Sequence, residues 1–121
     1  MSRILIIDMD QELDNSLKAF FSSKGYEVQT VWNARSALRM LKKKKYHIVF
    51  LDIAAFPGME GLDLIKKIGK IEPSAKVIVM TSLKNEVLAK QTIELGAFDY
   101  ITKPPNLDYM ETAVVTGIAL Q

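Results

Sequence analysis

Four polar side chains in this sequence each follow a short apolar run, and their types suit chemistry with charged groups. They are two carboxylates, a hydroxyl and an ammonium: Asp8, Asp52, Thr81 and Lys103. A carboxylate can act as a nucleophile, and its oxygens are ligands that Mg²⁺ prefers. A lysine ammonium is a compact charge on a long stem, so it can reach across a pocket to neutralise negative charge. These residues can act together only if the fold gathers the ends of the four runs.

The elements that must position them alternate along the chain. The run His47-Ile48-Val49-Phe50-Leu51, which stops at Asp52, is made of apolar and β-branched residues, a pattern typical of a central strand covered on both faces. Further strand-like runs alternate strictly with segments of helical periodicity. This alternation predicts an α/β fold, a three-layer doubly wound (βα)5 flavodoxin-like parallel sheet with strand order 2-1-3-4-5. In that order the first and third strands are neighbours, so we expect Asp8 to lie beside Asp52.

Capping residues and apolar stripes place the helices. Asp10 is predicted to cap a first helix over Gln11–Lys24, while Asn33 and Asn106 cap the second and the last helix. Two stripes at helical spacing are expected to face the sheet: Leu13, Leu17, Phe20 and Phe21 in the first helix, and Leu88, Ala89, Thr92 and Ile93 in the fourth.

Length and composition exclude several classes of protein. A chain of 121 residues makes one domain, and the absence of Cys excludes a disulfide scaffold, a thiolate metal site and a Cys nucleophile. The net charge of +2 is too balanced to indicate direct nucleic-acid binding, and the basic block Lys42–Lys45 is interpreted as a solvated helix end. No apolar run approaches the ~20 residues that span a bilayer. We therefore expect a cytoplasmic protein with no membrane partner.

The order and spacing of the site residues resemble a known family. Over its whole length, residues 1–121, the chain is similar to the receiver domain of two-component response regulators, of the chemotaxis-response-regulator type. The landmarks that carry the resemblance are Asp8, Leu51-Asp52, Pro57-Gly58-Met59-Glu60-Gly61, Met80-Thr81-Ser82, Gly96-Ala97-Phe98-Asp99-Tyr100 and Lys103-Pro104.

The resemblance implies a phosphoryl acceptor rather than an enzyme, with at most slow self-dephosphorylation. Asp52 would be phosphorylated by a sensor histidine kinase or a phosphotransfer protein, and Thr81 and Lys103 would contact the phosphoryl oxygens. Mg²⁺ would be held by Asp8, Asp52 and a backbone carbonyl, for which Ala54 is the candidate. Lys103 could also have a purely structural role, as the partner of Asp52 in an ion pair in the resting protein. That role is compatible with contact between Lys103 and the phosphoryl oxygens after phosphorylation.

The resemblance also implies a route for the signal. Thr81 and Tyr100 match the family's switch positions, at which a hydroxyl turns towards the phosphoryl group and an aromatic side chain moves inward. The altered surface would be the one made by the fourth helix, the fifth strand and the fifth helix, through which a homodimer could form. The Lys103-Pro104 peptide bond is expected to be cis, as is usual in this family.

Two departures from the family pattern weaken the expected magnesium site. The family has two adjacent acidic residues after the first strand, whereas here the second is Met9, which offers no hard oxygen ligand. Asp10 could take that place, although the helix cap is its competing role. In addition, Pro57 falls one residue later than in the family, which indicates an insertion within residues 53–56 and makes Ala54 an uncertain donor.

Two alternatives follow from these departures and from a local motif. The first is a degenerate receiver that binds partners without being phosphorylated. The second is a haloacid-dehalogenase-type phosphatase, because Asp8-Met9-Asp10 resembles the Asp-x-Asp opening of that family, with Asp8 as nucleophile and Asp10 as acid and base. Against the phosphatase, Gln11-Glu12 replaces the small residue and Thr expected after that motif, and the chain has no room for a cap domain.

Overall fold

A five-stranded parallel sheet forms the centre of the molecule, in the order β2-β1-β3-β4-β5 that the alternation predicts. The structure, a computed structural model, describes residues 2–56 and 60–121. The strands are β1 (Arg3–Ile7), β2 (Glu27–Val31), β3 (Ile48–Leu51), β4 (Lys76–Thr81) and β5 (Asp99–Thr102). The α-helices are α1 (Gln11–Ser23), α2 (Ala34–Lys43), α3 (Glu60–Ile71), α4 (Glu86–Glu94) and α5 (Leu107–Ala119), and a single 3₁₀ turn covers Ile53–Ala55.

Helices cover both faces of the sheet. On one face, α2 and α3 contribute residues such as Leu41 and Ile65 to a core cluster. On the other face, α1 and α5 contribute residues such as Phe21 and Val114 to a second cluster. All four residues of β3 are fully buried between these layers, which confirms the prediction of a central strand. None of the helices within residues 2–56 and 60–121 has the length and the apolar character that crossing a membrane requires.

The register of the sheet brings the carboxyl ends of its strands to one edge. Ile7 pairs with Leu51, so Asp8 and Asp52 both follow directly after paired residues. The backbone N–H of Asp52 donates to the Ile7 carbonyl at 3.0 Å, which continues the ladder by one step. In the same way, the N–H of Lys103 donates to the Thr81 carbonyl at 2.7 Å. The four predicted site residues therefore start from neighbouring points of the sheet.

The predicted helix caps are confirmed, whereas one residue of a predicted helix face is misplaced. Asp10, Asn33 and Asn106 each accept a hydrogen bond from the N–H three residues later, as predicted. In α4, Thr92 is buried, but Ile93 is 47% exposed, so the prediction that Ile93 faces the sheet was wrong. Consecutive residues of a helix point about 100° apart. Because α4 buries only Thr92, the side chain of the next residue, Ile93, lies at the surface.

Gly61 allows α3 to pack closely against the turn that follows Asp52. A Cβ atom at Gly61 would lie 3.0 Å from both the Cβ and the carbonyl oxygen of Ile53. We expect Gly61→Ala to lower the free energy of unfolding by about 1–3 kcal/mol, because a methyl group there overpacks the turn. Gly69→Ala in the same helix is the matched control, since nothing lies within 4 Å of its added Cβ. It should stabilise the chain by up to about 1 kcal/mol, and urea unfolding curves in which the Gly61 variant is the more stable of the two would contradict this packing.

Candidate functional site

Lys103 joins two carboxylates at the edge of the sheet. Its Nζ lies 2.9 Å from Asp8 Oδ2 and 2.9 Å from Asp52 Oδ2. The three residues come from the ends of β1, β3 and β5, which the parallel register places side by side. The structure thus contains the ion pair between Lys103 and Asp52, and it shows that Asp8 shares the same ammonium.

Backbone N–H groups fix the other oxygen of each carboxylate. Asp8 Oδ1 accepts from the N–H of Met9 at 2.7 Å and from the N–H of Asp10 at 3.2 Å. Asp52 Oδ1 accepts from the N–H of Ala54 at 2.9 Å, within the turn that follows β3. Each carboxylate therefore presents Oδ1 to its own loop and Oδ2 to Lys103, so the loops orient the charged edge of the site.

The two carboxylates differ in their access to solvent. Asp8 is 1% exposed, whereas the Asp52 side chain retains 11% of its surface. Burial alone would lower the pKa of Lys103, but its hydrogen bonds to Asp52 and Asp8 and their charges outweigh burial and raise it above the ordinary value. Lys103 is therefore protonated at neutral pH, and Asp52 is the more accessible of the two acids.

Thr81 and Tyr100 contact the same loop residue from two strands. Thr81 is fully buried at the end of β4, and its Oγ1 accepts a hydrogen bond from the N–H of Leu83 at 3.2 Å. The hydroxyl of Tyr100 donates to the Leu83 carbonyl at 2.5 Å. Partial burial and the nearby charge of Asp52 raise the pKa of the Tyr100 hydroxyl. The two predicted switch residues are thus linked through the start of the β4–α4 loop.

Lys103 donates to Asp8 and Asp52, and none of the described residues at the two family departures forms a hydrogen bond with its ammonium. Met9 is 63% exposed. The Asp10 carboxylate caps α1 by accepting from the N–H of Leu13 at 3.1 Å, so it would have to leave that position to bind a cation. Ala54 uses its N–H to hold Asp52. Pro57 lies outside the described residues.

Asp14 also belongs to this site, although no role was predicted for it from the sequence. It is buried on α1, on the same inward face as Leu17 and Phe21. Burial raises the pKa of Asp14 from 3.8 to about 7, and the negative charge of the neighbouring Asp8 contributes to this rise. A signal was present, because Asp14 lies three residues before Leu17 and seven before Phe21, a helical spacing that puts a carboxylate in an apolar stripe.

The charges and donor atoms of this site suit a small divalent cation. Asp8 and Asp52 share one ammonium and Asp14 lies nearby, so acidic side chains outnumber basic ones at this site. All the available side-chain donors are carboxylate oxygens, the hard ligands that Mg²⁺ accepts. Residues 2–56 and 60–121 contain no group of three or more His, Asp or Glu side chains already gathered closely enough to hold a metal ion. The oxygens of Asp14, buried without a donor, are the observation that supports the fit.

Comparison with known proteins agrees with the fold. Residues 4–115 match the model of the response regulator receiver domain. The chain is 39% identical over 103 residues to the chemotaxis protein CheY of Thermotoga maritima, covering 84% of this chain and 85% of that protein. It is 31% identical over its full length to the regulatory protein AtoC of Escherichia coli, of which it spans 26%.

A solved structure extends the similarity to three dimensions. It is a response regulator protein from Burkholderia pseudomallei, crystallised with a phosphorylated aspartic acid, a calcium ion and citrate. The two chains superpose with a TM-score of 0.88 at 25% sequence identity, covering 98% of this chain and 69% of the other.

Proposed function

The chain belongs to the response regulator receiver domain family, and from that premise we propose that it accepts a phosphoryl group on Asp52 in a two-component signalling pathway. The single observation that carries the proposal is the bridge from Lys103 to Asp52 and Asp8 at the edge of the sheet. This arrangement supplies an accessible carboxylate beside a protonated amine, which transfer of a phosphoryl group to an anionic nucleophile requires.

From the contacts of Asp52 we propose different tasks for its two oxygens. Oδ1 is held by the Ala54 N–H, so Oδ2 is the oxygen that attacks phosphorus. A bond forms between Oδ2 and phosphorus while the bond from phosphorus to the donor's leaving atom breaks, and the leaving group keeps that electron pair. Lys103 neutralises negative charge on the phosphoryl oxygens, and we place the hydroxyl of Thr81 on one of them. Mg²⁺ held by Asp8, Asp52 and the Ala54 carbonyl would supply further neutralisation of charge.

The phosphorylated aspartic acid and calcium ion of the Burkholderia pseudomallei protein support this chemistry in a chain of the same fold. We propose a sensor histidine kinase or a phosphotransfer protein as the donor of the phosphoryl group. The phosphatase alternative has less support, because Asp8 is nearly inaccessible and Asp10 caps α1.

The signal would leave the site through Leu83. When the Thr81 hydroxyl turns to the phosphoryl group it releases the N–H of Leu83, and the Tyr100 hydroxyl loses its partner if the loop moves. The hydrogen bond between Thr81 and the phosphoryl group would exist only after phosphorylation. It would therefore shift the equilibrium between two packings of the surface made by α4, β5 and α5. Exposed apolar side chains on that surface include Val87, Tyr109 and Val115, which would suit a partner or a second copy of the chain.

Intact-mass measurement after incubation with a small-molecule phosphodonor and Mg²⁺ tests the proposal. We expect the wild-type chain to gain one phosphoryl group, and we expect the gain to be lost when EDTA removes the cation. A chain that stays unmodified over a range of donor and Mg²⁺ concentrations would contradict phosphorylation and favour the degenerate receiver.

Met9→Asp should tighten Mg²⁺ binding by at least tenfold. One unit charge at ~4 Å contributes about 4 kcal/mol before desolvation at an effective dielectric constant of 20, and about 1.4 kcal/mol corresponds to a factor of ten. Calorimetric titration with MgCl₂ at constant ionic strength measures the effect. Met9→Leu is the matched control, because it keeps an apolar side chain and should leave the affinity unchanged. Equal affinities for the Asp and Leu variants would show that position 9 does not reach the cation.

A further inference from the structure

Within the part of the chain that the structure describes, the carboxylate of Asp14 is the one buried side chain of this site that lacks a hydrogen-bond partner. Asp14 is 2% exposed, and within residues 2–56 and 60–121 neither of its oxygens meets a hydrogen-bond donor. Asp8 and Asp52, by contrast, each bind a backbone N–H and the Lys103 ammonium. An ionised carboxylate buried without a partner is strongly unfavourable, so a ligand that supplies a donor or a positive charge is expected there.

The protein groups near Asp14 are already committed. Asp8, which affects the charge state of Asp14 directly, has its two oxygens occupied by the N–H groups of Met9 and Asp10 and by Lys103. Lys103 divides its ammonium between Asp8 and Asp52. The missing donor must therefore come from outside the described part of the protein.

Asp14 could supply the second carboxylate that is missing at position 9. Met9 points to solvent after β1, whereas Asp14 approaches Asp8 from the first helical turns of α1. Asp14 is buried whereas Met9 is exposed, so a carboxylate on α1 can restore inside the protein the charge that the loop does not supply.

We propose that Asp14 is the second acidic residue of the cation site and that it binds Mg²⁺ through a water of the ion's hydration shell. This inference rests on the proposed function for the identity of the cation. Mg²⁺ keeps several waters when it binds to protein, and such a water supplies the hydrogen-bond donor that Asp14 lacks. Water-mediated contact also fits the spacing of the site, since the described carboxylates are not gathered as tightly as direct ligation by three of them would require.

Calorimetric titration of the unphosphorylated protein with MgCl₂ at pH 8 tests the inference. We expect Asp14→Asn to weaken Mg²⁺ binding by at least tenfold, in line with the effect of removing an outer-shell partner from a metal site. Asp63→Asn is the matched control, because it makes the same change at an exposed position of α3 and should keep the wild-type affinity. Asp14→Ser is the second variant, and circular dichroism establishes that each variant is folded.

A folded Asp14→Asn or Asp14→Ser chain that binds Mg²⁺ within twofold of the wild type would overturn the role of Asp14. That result leaves phosphorylation of the wild type to be measured separately, so the two proposals fail independently. A wild-type chain that binds no Mg²⁺ would also overturn the role of Asp14. Loss of affinity in both Asp14 variants and not in Asp63→Asn would support it, even if the wild type accepted no phosphoryl group.

Discussion

Asp52→Asn is expected to abolish the uptake of a phosphoryl group from a small-molecule donor. An amide is a far weaker nucleophile than a carboxylate, and the substitution keeps the size and shape of the side chain. Asn can still accept from the Ala54 N–H, but its NH₂ group would then face the Lys103 ammonium, so the variant also loses a charge-assisted hydrogen bond. Intact-mass spectra over a time course with the donor and Mg²⁺ measure the loss.

The control for this prediction is Asp63→Asn, in which the same chemical change falls on an exposed residue of α3. We expect it to be phosphorylated like the wild type. If Asp52→Asn gained a phosphoryl group at the rate of the control, another residue would be the acceptor and the assignment of the site would be wrong.

Asp14→Asn is expected to stabilise the metal-free protein at pH 8 and to have little effect at pH 4. Burial, followed by the charge of Asp8, raises the pKa of Asp14 from 3.8 to about 7 in the folded chain. The folded state therefore holds a proton that the unfolded state releases, so the stability that Asp14 contributes is full below pH ~4 and is lost as the pH rises through 7. Since one pKa unit corresponds to about 1.4 kcal/mol, the gain from removing this charge is on the order of 2–4 kcal/mol above pH 7.

Urea unfolding at pH 4 and at pH 8, both in EDTA, measures this difference. The quantity of interest is the change in free energy of unfolding between Asp14→Asn and the wild type at each pH. A gain of the same size at both values would mean that packing, and not charge, sets the effect. A loss of stability at pH 8 would mean that the ionised carboxylate is favourably partnered in the metal-free protein.

The fold could be predicted from the sequence because its pattern is strict. Apolar runs that alternate with amphipathic segments admit few topologies, and the parallel order brings Asp8 and Asp52 together without further information. The caps at Asp10, Asn33 and Asn106 were equally readable, since a side chain that accepts from the N–H three residues later is a local property. The Lys103-Pro104 peptide is cis, as the resemblance implied.

The features that the sequence did not predict depend on how the elements face one another. Ile93 was assigned to the sheet from its spacing, but α4 turns Thr92 inward and leaves Ile93 outside. On α1 the spacing predicted an apolar stripe, and the buried carboxylate of Asp14 lies within that stripe. The orientation of Ala54 follows from the turn after Asp52, whose length differs from that of the family, so no pattern in the sequence fixes it.

The central claim, that Asp52 at the Lys103 bridge is the phosphoryl acceptor, is tested most directly by locating the phosphoryl group. Borohydride reduces an aspartyl phosphate to homoserine, and peptide mapping after the reaction identifies the residue that changed. We predict homoserine at position 52 alone. Homoserine at position 8, or phosphate retained on a hydroxyl side chain with residue 52 unchanged, would contradict the account.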